Sequence, residues 1–277
     1  MNPLLRRTIS GALFLVIVVG CLATSVTFAV LSVFLITVLH SEFNRMTLQT
    51  GMYLKERVCV LIASVLLFLT AFLCRATDLE VRWMTLSFIP LAVSFLLLMK
   101  DGAEDHSFDV TLYFPLLYIT LPFLSTLLIV IDGEGNYSGL ELLGLFAIIW
   151  LNDIGAYAFG MSMGQKPDSR KLAPNLSPKK SWIGVIGGTI FSIAAAVALY
   201  FIFGKNSMAL PHWLAVSIIV SVFSVCGDLF ESLIKRHANV KDAGNIIPGH
   251  GGLMDRFDGF LFAIPAVVVY FAIFSLI

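Results

Sequence analysis

Apolar runs of about 20 residues, separated by short charged connectors, set the pattern of this chain. A bilayer core of roughly 30 Å takes about 20 apolar residues per helix. On that measure spans fall at 8–22, 24–41, 57–74, 83–100, 110–131, 139–163, 181–204, 211–235 and 257–277. The stretch from Gly11 to Leu39 is 29 residues, long for one tilted helix and tight for two. The reading is nine spans, or eight if that stretch is one helix. The expected fold is therefore an all-α polytopic integral membrane protein with about nine transmembrane helices. The connectors divide it coarsely into helices 1–3 over 1–75, helices 4–5 over 76–135 and helices 6–9 over 136–277. That last group carries the long loops 164–180 and 236–256. No internal repeat or low-complexity linker interrupts the chain.

Composition agrees: 58% of the 277 residues are hydrophobic and 13% charged, far from the balance of a soluble domain. The formal net charge is zero, but the cations are unevenly placed. With nine spans, one side receives Arg6, Arg7, Arg45, Lys55, Arg57, Lys100, Lys166, Arg170, Lys171, Lys179, Lys180, Lys235, Arg236, Lys241 and Arg256. The other receives Arg75, Arg82 and Lys205. The positive-inside rule then puts the N-terminus and both long loops in the cytoplasm. No basic stripe with interleaved aromatics is present, so nucleic acid is not an expected partner. Arg6-Arg7 and the following apolar run imitate a secretory signal, but the run continues past Cys21 and reads as retained helix. Cys21, Cys59, Cys74 and Cys226 lie in or beside apolar runs, form no CxxC pair and read as small apolar side chains.

Against this background the ionisable residues inside spans stand out, because they are costly there and usually face a protein interior. Asp153 lies about ten residues, or about 15 Å, from the end of its span. Asp228 lies about 10 Å from the same interface, and Asp228, Glu231 and Lys235 share one helix face. A surface pair of Glu231 and Lys235 is the plain alternative, and for Asp153 it is a structural hydrogen bond between helices. Asp255 and Asp258 open the last span, where acidic residues also suit the helix dipole. Two carboxylates brought together without a cation repel. Oxygen-only ligands without Cys or paired His point to Mg²⁺, and the expected metal ligands are Asp228 and Asp255.

Between them, Pro248-Gly249-His250-Gly251-Gly252 is a turn whose successive backbone N–H groups suit an anion-binding nest. Lys241 and Arg256 flank it. Ser177-Pro178-Lys179-Lys180-Ser181-Trp182 places two lysines at a helix N-terminus, against the macrodipole, and a bound phosphate reverses that sign. Positive-inside charge is the simpler account of those lysines.

The stretch Ser232-Leu-Ile-Lys-Arg236, then Lys241-Asp242-Ala-Gly244, then Ile247-Pro-Gly-His-Gly-Gly252-Leu-Met-Asp-Arg-Phe-Asp258 resembles the signature of the phosphatidate cytidylyltransferases. The 177–182 segment and the helix with Asn152, Asp153 and Tyr157 are also similar to family elements. The resemblance covers the C-terminal half and says little about residues 1–135. One departure is Ile183, where family members commonly carry Glu. The resemblance implies Mg²⁺-dependent transfer of a cytidylyl group from CTP to phosphatidic acid, giving CDP-diacylglycerol and pyrophosphate for phospholipid synthesis. It leaves the identity of any second cation open. Asp228, Asp255, Lys241 and Arg256 are then the expected catalytic group. Ser177, Lys179, Lys180, Asp153, Glu231, Lys235, Arg236, Gly249, His250, Gly251, Gly252 and Asp258 are expected around CTP and the membrane lipid. The expected location is the bacterial cytoplasmic membrane, with the site on the cytoplasmic side, and a homodimer is the base-rate assembly. Two other readings are a CTP-dependent polyprenol or phytol kinase and an ion-coupled secondary transporter, whose site would sit between repeats near the midplane.

Overall fold

A computed structural model describes residues 3–48, 52–100, 110–166, 169–204, 208–244, 246 and 251–277. The chain is an all-α polytopic membrane protein. Among the described residues eight helical stretches are long and apolar enough to cross a membrane, and Ile9–Cys21 is a shorter apolar helix. The first apolar stretch is two helices, α1 (Pro3–Cys21) and α2 (Ser25–Thr47). They separate at Thr24, whose backbone is extended and whose hydroxyl accepts the Thr27 N–H at 3.2 Å, a serviceable N-cap.

The remaining helices are α3 (Leu54–Ala76), α4 (Phe88–Lys100), α5 (Leu121–Val130), α6 (Leu140–Ser162), α7 (Trp182–Phe203), α8 (Leu210–His237) and α9 (Met254–Ile273). A 3₁₀ turn, Val81–Ser87, leads into α4, and a wide π turn, Leu116–Thr120, leads into α5. Pro122 has no N–H to give the preceding turn, which accounts for the widened geometry there.

Two expectations differ from the structure. The second span, expected to stop at 41, continues to Thr47. Phe43 and Met46 are buried, so the apolar face persists, and Arg45 in the last turn suits the helix dipole. The 164–180 segment, read as a loop, contains a short antiparallel hairpin of β1 (Lys171–Ala173) and β2 (Ser177–Ser181).

The chain divides into two compact units. One comprises residues 1–139 and 237–256; the other comprises 140–236 and 257–277. In the first, Phe28 packs against Phe68 and Tyr137, and Phe43 stacks on Phe114. Arg75 donates twice to the Ile131 carbonyl, at 2.5 and 3.2 Å.

The second unit is built on close helix contacts. A Cβ at Gly155 of α6 would lie 2.6 Å from the Gly187 carbonyl oxygen of α7, and one at Gly188 would lie 2.7 Å from Asn152 Oδ1. Small residues let these backbones meet, as membrane helices require. The buried Asn152 also accepts a hydrogen bond from Ser192 at 3.1 Å. Thr189 and Ser221 join α7 to α8 at 2.7 Å, and His212 meets the Tyr270 hydroxyl at 2.8 Å between α8 and α9.

Candidate active site at a helix crossing

The crossing of α8 and α9 is set by glycine. A side chain at Gly227 would collide with the Asp258 carbonyl oxygen, and a Cβ at Gly259 would lie 3.1 Å from Ser224. Aromatic contacts fix the register: Phe230 with Phe262 at 5.3 Å, and Phe146 of α6 stacked on Phe260 at 5.2 Å and 6°. Each of those glycines adjoins an aspartate, Asp228 in one helix and Asp258 in the other. Close backbone contact therefore brings the two carboxylates together, and Glu231, one turn after Asp228, completes the group.

Ligating oxygens of Asp228, Glu231 and Asp258 all lie within 4.8 Å of one another. Glu231 is 1% exposed, while Asp228 and Asp258 are half-buried. Two ammonium groups balance them. Lys180, at the end of β2, forms an ion pair with Asp228. Lys235 bonds Glu231 Oε2 at 3.0 Å. This is the expected Glu231–Lys235 pair, but it is mostly buried rather than a surface pair. The Ser232 hydroxyl lies 3.5 Å from Asp228 Oδ1. Asp153 of α6 lies within Coulombic range of Asp258. Asn152 turns toward α7, and its neighbour Asp153 is on an exposed part of α6.

This donor set fits a hard dication. All donors are carboxylate oxygens, they converge from two helices, and no Cys or His belongs to the group. Three carboxylates with two ammonium partners leave one excess negative charge if all are ionised. A dication reverses that sign and makes the site attractive to a polyphosphate.

The hairpin brings Lys180 to this place. Gln165 Nε2 donates to the Lys179 carbonyl at 2.8 Å. Ser181 caps α7 by accepting the Gly184 N–H at 3.2 Å. Lys180 is held by Asp228, and Ile183 in the first turn of α7 offers it no carboxylate. Lys179 is exposed and Ser177 is half-buried.

Asp255, the other expected metal ligand, belongs to the first unit. Its Oδ2 accepts the backbone N–H groups of Gly252 at 2.8 Å and Ala243 at 3.1 Å. It thus ties together the two flanks of the turn. Gly251 has φ +83°, a conformation that favours glycine. Gly249 and His250 lie outside the described residues, as does Pro248. Lys241, Arg236 and Arg256 are exposed.

Glu42 was missed in the sequence. It is 3% exposed on α2, and its two oxygens accept the N–H groups of Leu253 at 3.0 Å and Met254 at 2.8 Å. A Cβ on Gly252 would lie 2.9 Å from its carboxylate. A buried carboxylate at the start of α9 satisfies orphan amide donors and suits the helix dipole. The signal was an acidic residue between His40 and Phe43, at the end of an apolar run; with the span ended at 41, six residues before α2 stops at Thr47, it fell in the following loop.

The sequence profile of the cytidylyltransferase family matches residues 5–274, and the chain belongs to that family. Similar curated proteins are the phosphatidate cytidylyltransferases of Staphylococcus haemolyticus (strain JCSC1435), 47% identical over 126 residues, and Staphylococcus aureus (strain COL), 48% identical over 135. That of Bacillus subtilis (strain 168) is 42% identical over 128 residues. These matches cover 45%, 48% and 46% of this chain, and 46%, 49% and 46% of those proteins. The chain thus spans about half the length of the curated relatives it matches.

Proposed function

We propose that the chain transfers a cytidylyl group from CTP to phosphatidic acid, giving CDP-diacylglycerol and pyrophosphate. The observation that carries this reading is the convergence of Asp228, Glu231 and Asp258, flanked by Lys180 and Lys235, in a member of the cytidylyltransferase family. Family membership and the names of the relatives favour CTP as donor and phosphatidate as acceptor. The carboxylate group favours Mg²⁺ as the dication.

Asp228, Glu231 and Asp258 would hold Mg²⁺. The ion would supply charge neutralisation and Lewis-acid polarisation of phosphate oxygens. With Asp228 engaged by the ion, the Lys180 ammonium would be available to a nucleotide phosphate. Lys235 keeps Glu231 oriented. Exposed Lys179, Lys241 and Arg256 lower the repulsion between two polyanions that must meet. Asp255 holds Ala243 and Gly252, and Glu42 holds Leu253 and Met254, on the two flanks of the glycine turn.

The chemistry then requires little proton transfer. An oxygen of the lipid phosphate, already anionic at neutral pH, forms a bond to the α-phosphorus of CTP. The bond from that phosphorus to the bridging oxygen of the β-phosphate breaks, and pyrophosphate leaves with the electron pair. Positioning and charge stabilisation are the main tasks. The cation asymmetry of the loops supports a site on the cytoplasmic side of a bacterial inner membrane, where CTP is available.

Product analysis with purified protein, phosphatidic acid and labelled CTP tests the reading. One pyrophosphate released per cytidine incorporated into lipid is the expected result. Release of CDP with phosphorylation of a polyprenol would replace it with a kinase.

A further inference from the structure

Outside the carboxylate site, the first unit contains a cavity of about 580 Å³ between the facing ends of α2 and α3. We propose that it binds the phosphate headgroup of an anionic phospholipid. Its charge is one-sided. Arg45 and Arg57 line it, and none of its ten lining residues is a carboxylate. Glu42 accepts backbone N–H groups at the start of α9, and Glu56 is buried and is not one of the lining residues. Among the described residues Arg45 forms no ion pair. Two guanidinium groups at one cavity are suited to a phosphate, which each can bind through a planar fork of donors.

The wall also has unused polar capacity. His40 lines the cavity and is 1% exposed; its Nε2 meets Thr120 Oγ1 at 3.2 Å, while its Nδ1 has no hydrogen-bond partner among the described residues. Asn44 Oδ1, in the same wall, is also buried without one among the described residues. Buried polar atoms are usually hydrogen-bonded, and a polar headgroup at this wall would have acceptors and donors to meet there.

A lipid, rather than a soluble anion, is favoured by what lies next to the cations. Leu54, Val58 and Leu61 form the α3 wall. Leu54, Val58 and Ile62, spaced four residues apart, are 63%, 48% and 45% exposed and make one continuous apolar stripe. The stripe runs along a helix long and apolar enough to cross a membrane. Arg57 lies three residues into α3 and Arg45 two residues before the end of α2. At 1.5 Å per residue both are within about 5 Å of a helix end, at headgroup depth. Phosphate at the arginines with an acyl chain along the stripe satisfies both features.

The test uses the full chain in phosphatidylcholine nanodiscs doped with phosphatidylglycerol bearing a diazirine on one acyl chain. That lipid is a phosphodiester and not the acceptor in the proposed reaction, so labelling is independent of that reading. Photolabelled peptides from α3 should be about tenfold more abundant with this probe than with the matching phosphatidylcholine probe. Arg45→Gln/Arg57→Gln should bring labelling down to the phosphatidylcholine level. Arg45→Gln alone, at an exposed position that folding tolerates, should remove a large part of it. Unlabelled phosphatidylglycerol should compete, and inorganic phosphate should not. Equal labelling by both probes, or labelling that survives both variants, would mean an unselective lipid shell and overturn the proposal. Competition by inorganic phosphate at similar concentration would make the cavity a site for a soluble anion and equally overturn it.

Discussion

Asp258 and Glu42 show how a carboxylate's meaning depends on what lies one residue away. In the sequence Asp258 reads as the opening of the last span, a position where the macrodipole alone accounts for an acid, although α9 begins four residues earlier at Met254. Gly259 beside it permits the backbone contact that brings it to Asp228 and Glu231. Asp228 was legible because it interrupts a long apolar run, and burial of an unpaired charge is costly. Glu42 was not legible, because it sits where the run ends and an interfacial reading is always available. The two carboxylates should respond differently to substitution. Glu42→Ala leaves two buried N–H groups without an acceptor and should destabilise the protein by about 3 kcal/mol, read as a lower melting temperature in detergent. Glu42→Gln, which keeps one good acceptor, should lose about half as much. Asp258→Asn should leave the melting temperature nearly unchanged while turnover falls by at least ~100-fold. Equal melting temperatures for Glu42→Ala and the parent would show that the N-terminus of α9 does not depend on this carboxylate.

At the scale of elements, the hydrophobic pattern identified the spans because each apolar run has the length a bilayer requires. Its failures came at the ends, where α2 runs on to Thr47 and where 171–181 forms a hairpin. A two-stranded hairpin joined to a helix cap has too few apolar positions to leave a periodic signal. The helix crossings were also hidden, since glycine in a membrane helix reads as tolerance rather than contact. Gly227→Ala tests the crossing directly: the new methyl meets the Asp258 carbonyl oxygen, so α9 must shift or tilt. Overpacking of this kind costs about 1–3 kcal/mol. Both stability and turnover should fall, whereas Gly20→Ala, at a position with open space around the added carbon, should change neither. If Gly227→Ala kept full activity, α8 and α9 would not need this close approach.

For the whole molecule, the sequence supplied a membrane protein with its polar chemistry gathered toward the C-terminal half, and the structure divides the same chain into two units. The second unit takes α6, α7, most of α8 and α9, and with them the three carboxylates and both paired lysines. The first takes the glycine-turn flanks together with Asp255 and Glu42, so the 27-residue signature is shared between units rather than contained in one. No pattern in a linear sequence reveals such a division, because it depends on which distant helix each loop meets. The orientation predicted from the cations can be read in intact cells. With the four native cysteines replaced, Asn136→Cys should react with a membrane-impermeant maleimide applied outside, and Lys241→Cys should react only after permeabilisation. The reverse pattern would place the loops, and the proposed CTP site, outside the cytoplasm.

The central claim is that Asp228, Glu231 and Asp258 form the cation site. It is tested most directly by measuring the Mg²⁺ concentration for half-maximal cytidylyl transfer in the parent, Asp258→Asn and Asp255→Asn proteins. The account predicts that Asp258→Asn either abolishes turnover or raises that concentration by about tenfold or more, while Asp255→Asn lowers turnover with little change in the Mg²⁺ requirement. An unchanged requirement in Asp258→Asn, with the shift found in Asp255→Asn, would contradict it and make Asp228 and Asp255 the metal pair.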